Sequence, residues 1–276
     1  MKILITGASG YVGAKLYKDL KDAEYDVVGT YHNNKLFEEL VEADLTNELA
    51  VQKLISETKP SVVIHSVATS SSKACEKDPE MAQRLNVNAT RNLVEASRKA
   101  SIRFIHISTF ACFDEFPSNV YSRTKKEAEE LVKTLKNYVI LRLSLVVGLS
   151  PYTAEGNYKF YNDMVSAFRK GKKFAADVDW QFEFSYLGNI SKVVKTIVDT
   201  TEMNKVIVPY AEAGVTTKYK FAKDLFEGAD MELTEEESGR NRPVSSFDQS
   251  ILQKYGMERD TYENAVNQMR KELKIK

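Results

Sequence analysis

Two spacings of apolar residues alternate along the first two-thirds of the chain. Short β-branched runs predict strands at Lys2–Thr6, Asp26–Tyr31, Ser61–Val67, Ile102–Ile107, Tyr138–Leu143 and Lys205–Val208. Runs such as Val62-Val63-Ile64 and Val139-Ile140-Leu141 have no polar interruption, as expected of strands covered on both faces. Between the runs the spacing becomes helical. Val12, Leu16 and Leu20 recur every four residues, and Leu45, Leu49 and Lys53 do so less cleanly. Glu80–Lys99 and Ser118–Lys136 are longer periodic stretches, the second preceded by Pro117, a helix-start signal. Strand–helix alternation implies right-handed crossovers and an α/β fold built on a doubly wound parallel sheet. A third strand is expected to end in Glu42-Ala43-Asp44-Leu45, and the fourth at Val67-Ala68. After Gly148 the pattern becomes irregular, with a helix near Asn157–Lys170 and an exposed loop at Glu235–Pro243 inside a C-terminal helical region.

Glycine placement adds chemistry to this frame. Three of the 12 glycines fall in Gly7-Ala8-Ser9-Gly10-Tyr11-Val12-Gly13, between the first strand and the first helix. Gly7 would permit the tight turn, Gly10 the approach of a pyrophosphate to bare backbone, and Gly13 close packing of helix on strand. The helix N-terminus, including Tyr11 and Val12, would then face the anion. This predicts a Rossmann-type dinucleotide site. The second strand ends in Thr30-Tyr31-His32-Asn33-Asn34-Lys35, with no acidic residue before Glu38. An NAD-selective site usually places an acid there for the ribose 2′-hydroxyl. His32 and Lys35 suit a 2′-phosphate instead, so the cofactor is expected to be NADP or NAD, with NADPH favoured. Tyr31, Asp44, Leu45, Val67 and Ala68, at strand carboxyl ends, are the other expected cofactor contacts.

Composition narrows the partners. The 276 residues carry 39 basic and 39 acidic side chains, which removes the electrostatic case for nucleic acid or an anionic membrane. The N-terminal apolar run is too short for a signal peptide. The longest apolar stretch, Tyr138–Leu149, is broken by Arg142 and falls short of the roughly 20 residues that span a bilayer. Cys75 and Cys112 are the only cysteines, too few for a disulfide scaffold. A cytoplasmic protein is expected. The scattered His32, His65 and His106 lack metal-ligand spacing, so no metal site is expected; His65 and His106 are read as core residues. The length suits residues 1–150 as a cofactor domain with a returning strand near 186–209, and 151–185 with 210–276 as a smaller substrate-binding region.

Catalytic candidates come from position rather than spacing. Tyr and Lys four residues apart share a helix face, and a nearby cation favours phenolate over phenol. Five such pairs occur, including Tyr11/Lys15 and Tyr219/Lys223. Only Tyr121-Ser122-Arg123-Thr124-Lys125 opens a helix after a central strand, the one ending Ile105-His106-Ile107-Ser108-Thr109. Strand carboxyl ends face the ligand crevice, so Thr109 could offer a hydroxyl to the same substrate oxygen.

These residues, with Cys75-Glu76-Lys77-Asp78-Pro79-Glu80, Asn86-Val87-Asn88-Ala89-Thr90-Arg91-Asn92-Leu93 and Arg242-Pro243…Asp248, resemble the extended short-chain dehydrogenase/reductases. Within them the likeness is to the dTDP-4-dehydrorhamnose reductase family. The resemblance implies that Thr109 orients a carbonyl, Tyr121 is the general acid, and Lys125 holds the nicotinamide ribose and tunes Tyr121. It further implies hydride transfer to a keto group of a nucleotide-linked sugar. Arg240 and Arg242 could meet substrate phosphates, since guanidinium forks fit them bidentately, or could belong to a solvated loop, and a homodimer is among the expected assemblies. Three segments depart from the family pattern: Phe110-Ala111-Cys112-Phe113, the eleven residues between Thr109 and Tyr121, and Thr69-Ser70-Ser71-Ser72-Lys73. A sugar-nucleotide epimerase with tightly bound NAD and a cofactor-binding regulatory subunit are the alternatives.

Overall fold

The structure, a computed structural model, describes residues 1–113, 118–151, 159–239, 247 and 249–275. Eleven strands occur among them: β1 Lys2–Thr6, β2 Asp26–Tyr31, β3 Val41–Glu42, β4 Val62–His65, β5 Arg103–Thr109, β6 Tyr138–Leu143, β7 Leu145–Val147, β8 Phe174–Asp177, β9 Phe184–Tyr186, β10 Val206–Tyr210 and β11 Leu233–Glu236. Seven form one sheet in the order β10-β6-β5-β4-β1-β2-β3, and every pairing in it is parallel. The chain winds outward from β1 to β3, then crosses to β4 and winds the other way. Ligands of doubly wound sheets bind where the winding reverses, here at the carboxyl ends of β1 and β4.

Strand periodicity of two explains the layers. Ile3, Ile5, Val62, Ile64, Ile105, Val139 and Leu141 pack on one face with Leu16 and Leu20 of helix Tyr11–Asp22 and Ile190, Val194 and Ile197 of helix Leu187–Asp199. Leu4, Val63, Phe104 and Ile140 pack on the other, against Val51, Leu54, Leu93 and Val132. A third cluster joins Val147, Tyr161, Phe184, Phe221, Tyr262 and Met269 beneath two small sheets, β7 with β9 and β8 with β11.

The expected strands of the main sheet are present, with shifted ends. The strand Val41–Glu42 stops before Asp44, and β4 stops at His65, leaving Val67 and Ala68 beyond it. The expected strand near 186–209 is β9, helix Leu187–Asp199 and β10. Leu49, on the apolar repeat expected of the second helix, is 75% exposed; helix Glu48–Thr58 buries Val51, Leu54 and Ile55 instead, and Asn47 caps it. The Glu80–Lys99 stretch is helical but not uniform: Pro79–Ala82 leads through a π-turn, Gln83–Asn88, into helix Ala89–Lys99. The expected loop at Glu235–Pro243 is corrected in its first part, because Glu235 and Glu236 lie in β11, in register with Ala176 and Asp177. Pro117, Arg240, Arg242, Pro243 and Asp248 lie outside the described residues.

Just beyond β10 the carboxylate of Glu212 is fully buried. It accepts from the Tyr186 N–H at 3.2 Å, Asn189 Nδ2 at 3.3 Å and the Tyr210 hydroxyl at 3.4 Å. Burial, reinforced by the charge of Asp260, pushes its pKa up to about 7. The folded state therefore binds a proton more tightly than the unfolded chain does. The stability this supplies is complete below the unfolded value near 4.5 and is lost as pH rises to about 7. Glu212→Gln cannot titrate, so it should gain on the order of 3 kcal/mol relative to wild type between pH 4.5 and 8. Urea unfolding at the two pH values measures this; a constant difference would refute it.

Candidate functional site

The β1 turn gives its three glycines different tasks. Gly7 adopts φ +77°, a conformation side chains resist, and its N–H reaches Thr30 Oγ1 at 3.3 Å. A Cβ on Gly7 would meet Val67 Cγ2 at 2.8 Å, and one on Gly13 would sit 2.1 Å from the Gly7 carbonyl oxygen. Protein packing therefore explains both. Gly10 has ordinary extended geometry, and its Cβ would meet only the Gly7 oxygen, at 3.2 Å. It caps helix Tyr11–Asp22 without any side chain, leaving the first-turn N–H groups and the positive helix end for an anion.

A cleft of about 270 Å³ opens at this turn. Among the expected cofactor contacts it brings together Gly7, Gly10, Tyr31, His32, Asp44, Leu45, Val67 and Ala68. Ser9, Asn33, Asn34, Thr46, Ser66, Leu85 and Ala89 also line it; their ordinary loop and helix positions gave no sequence signal. Tyr11, Val12 and Gly13 do not line it. Tyr11 is buried and its hydroxyl donates to the Gly148 carbonyl, Val12 is buried in the core, and Gly13 lies against Gly7. Asp44 Oδ1 accepts from Thr46 Oγ1 at 2.7 Å and from the Thr46 N–H at 2.9 Å. The hydroxyl bond, with help from nearby His32, holds the carboxyl below its ordinary range despite burial. An ionised acceptor there suits the hydroxyl or amino donors of an adenosine. Lys35, expected to face a 2′-phosphate, lies off the lining and pairs with Glu38 at 3.3 Å.

The second group lies under the carboxyl end of β5. Helix Val120–Lys133 begins in a capping box formed by Asn119 and Ser122, and Glu76 Oε1 accepts from the Val120 N–H at 2.7 Å. Lys125 is 2% exposed; its Nζ donates to the Ile107 carbonyl at 2.9 Å and lies 3.1 Å from His106 Nε2. Burial holds its pKa down to about 8. Tyr121 sits one turn earlier on this helix, and Thr109 two residues further along β5. The helix returns the chain to parallel β6, so it runs opposite to β5. Both steps therefore lead the same way, each by about 6 Å. Thr109 Oγ1 accepts from the Ala111 N–H at 3.2 Å and keeps its proton for donation.

Buried polar partners brace this group. Ser108 Oγ donates to Glu129 Oε1 at 2.5 Å, and Arg142 Nη2 donates to Glu129 Oε2 at 2.7 Å. Burial would raise the Glu129 pKa, but these two partners hold it below the ordinary range. Ser108 and Arg142 are thereby committed to Glu129, as a structural role requires. Burial and Glu129 push the Cys112 thiol up to about 11, so it offers no thiolate nucleophile. Asn86 in the π-turn, a residue composition and spacing did not single out as functional, accepts from the Thr69 N–H at 2.9 Å and donates to Thr124 Oγ1 at 3.0 Å. It ties the segment after β4 to the residue before Lys125.

A glycine-cradled helix end at the sheet's switch point, beside a strand-end Thr and a Tyr-x-x-x-Lys helix, defines a dinucleotide-binding fold of the short-chain dehydrogenase/reductase class. The chain belongs to the RmlD substrate binding domain family, whose pattern matches residues 1–275. It is 32% identical over 161 residues to methionine adenosyltransferase 2 subunit beta of Xenopus laevis, a match covering 53% of this chain and 47% of that protein, about half its length. It is 29% identical over 232 residues to dTDP-4-dehydrorhamnose reductase of Aggregatibacter actinomycetemcomitans, covering 79% and 71%. The crystal structure of dTDP-4-dehydrorhamnose reductase from Bacillus anthracis in complex with NADP shares the fold, with a TM-score of 0.83 over 98% of this chain and 99% of that one at 22% identity. No helix among the described residues is long and apolar enough to cross a membrane.

Proposed function

We propose that this protein is an NAD(P)H-dependent reductase of a keto group on a nucleotide-linked sugar. The observation that carries the reading is the buried Lys125 ammonium under the end of β5, one helical turn from Tyr121. Bound in the cleft, a nicotinamide dinucleotide would supply the hydride. Gly10 and the helix end would receive its pyrophosphate, and Asp44 its adenosine. Thr109 would donate a hydrogen bond to the substrate carbonyl, and Tyr121 would deliver the proton. Lys125 stabilises the phenolate left behind. The third apolar cluster, drawn largely from 151–185 and 210–276, is assigned to the nucleotide and sugar, and 1–150 with the return near 186–209 to the cofactor. The names of the two reductase relatives support the substrate class.

Fluorescence titration with NADH and NADPH, followed by a panel of 4-keto sugar nucleotides, tests the reading. Saturable binding and oxidation of the reduced cofactor are expected. Stoichiometric NAD in the purified protein without net consumption would replace the reading by an epimerase. Binding with no carbonyl reduced would favour a regulatory subunit, the reading suggested by the subunit-beta relative. Because the ammonium form is lost as pH rises through about 8, kcat/KM should fall along an alkaline limb near that pH. A flat profile to pH 10 would remove Lys125 charge from the mechanism.

A further inference from the structure

The main sheet carries two histidines side by side, His65 on β4 and His106 on β5, in register and with ring centroids 5.4 Å apart. Both are fully buried, yet their bonding differs. His65 uses both ring nitrogens, Nδ1 with Thr6 Oγ1 at 2.7 Å and Nε2 with Thr90 Oγ1 at 3.0 Å. It is a satisfied core histidine. His106 has Nε2 at 3.1 Å from Lys125 Nζ and, among the described residues, no hydrogen-bond partner for Nδ1. A lysine ammonium only donates, so Nε2 must accept and the proton must reside on Nδ1, buried and unpaired. Unpaired buried donors are costly, and a phenylalanine would fill this volume without that cost. The contact with Lys125 gives the imidazole a purpose.

We propose that His106 is a positioning residue for Lys125: its Nε2 and the Ile107 carbonyl hold two of the three ammonium donors, leaving one for the Tyr121 and Thr109 side. The titratable groups that act on the ammonium are His106 on β5, His65 on β4, Cys112 in the turn after β5 and Glu129 on its own helix. Arg142 on β6 bonds to Glu129, and Tyr121 lies one turn earlier on the helix. Burial and the Lys125 charge keep His106 neutral, hence an acceptor throughout the working range. Burial depresses the lysine while Cys112 and Glu129 counter it. Without the His106 acceptor, the balance moves towards the neutral amine.

The inference rests on the reductase reading, and its first test does not use turnover. ¹⁵N NMR of the wild-type imidazoles should show His106 protonated on Nδ1 alone; protonation on Nε2 would overturn the proposal. The second test compares His106→Leu, which removes the acceptor, with His106→Gln, which restores one. The Leu variant should lower kcat at least 10-fold with KM changed less than 3-fold, and move the alkaline limb down by about one pH unit. Gln should recover most of both. A Leu variant with an unmoved limb, or a Gln variant no better than Leu, would reduce His106 to packing. Failure of the wild-type protein to bind NADPH or NADH would instead remove the reductase reading, leaving the tautomer result to stand alone.

Discussion

Tyr121→Phe should lower kcat by roughly 10²- to 10⁴-fold, the usual contribution of a positioned proton donor, while NADPH affinity changes only a few-fold. The ring it keeps is packed with Cys75, Ala82 and Val120, so the helix entrance should hold its shape. Lys125 is anchored on β5 through Ile107 and His106, not through the phenol, and should stay in place. The substitution therefore removes the phenolic proton while the ring packing and the Lys125 anchor are kept. Single-turnover oxidation of NADPH, measured beside fluorescence titration, separates the two effects. Wild-type turnover would eliminate Tyr121 as the acid. Loss of both turnover and binding would assign it to holding the cofactor.

Substitutions at the glycines should divide by cause. In Gly13→Ala the new methyl would lie 2.1 Å from the Gly7 oxygen, 2.8 Å from the Gly7 carbonyl carbon and 2.6 Å from Ser66 Oγ. Two of those atoms are backbone, which cannot swing aside as a flexible side chain would. The turn must open, at a cost of about 2–4 kcal/mol. Gly10→Ala meets one atom at 3.2 Å in an extended conformation that alanine adopts readily, so it should stay within about 1 kcal/mol of wild type. Under the proposed binding mode its methyl would take the place of the pyrophosphate, and NADPH affinity should fall at least 10-fold. Thermal unfolding and cofactor titration of both variants check the contrast. Equal loss of stability would show Gly10 to be a packing glycine like its neighbours.

Much of the main sheet was legible because its strands are buried on both faces, and a run such as Val62-Val63-Ile64 admits few other readings. The strands β7, β8, β9 and β11 were not. They are three or four residues long, and β11 is half exposed and acidic, so its pairing with β8 is decided by tertiary contact. The cleft followed the same division. Gly10, His32 and Asp44 line the cleft, and their positions are readable because glycine spacing and strand ends are written in the local sequence. Lys35 lies off the cleft lining and beside Glu38, three residues away, a placement that sequence proximity to the second strand does not reveal. Glu129 with Arg142, and Lys125 with His106, join residues that only folding brings together.

The π-turn at Gln83–Asn88 bears on which changes in chain length this protein can accept. A π-turn carries one residue more than the α-helix it interrupts, and each helical residue rotates its successors by about 100°. Loss of one residue between Gln83 and Asn88 would let the hydrogen bonds revert to the α pattern at little local expense. The flanking helix would keep Leu93 and Val94 on the sheet, but Asn86, inside the turn, would lose its place between Thr69 and Thr124. Removal of one residue here should therefore cost the link that Asn86 makes between the segment after β4 and the helix of Lys125, so the surplus residue is expected to be a length-invariant point between β4 and β5.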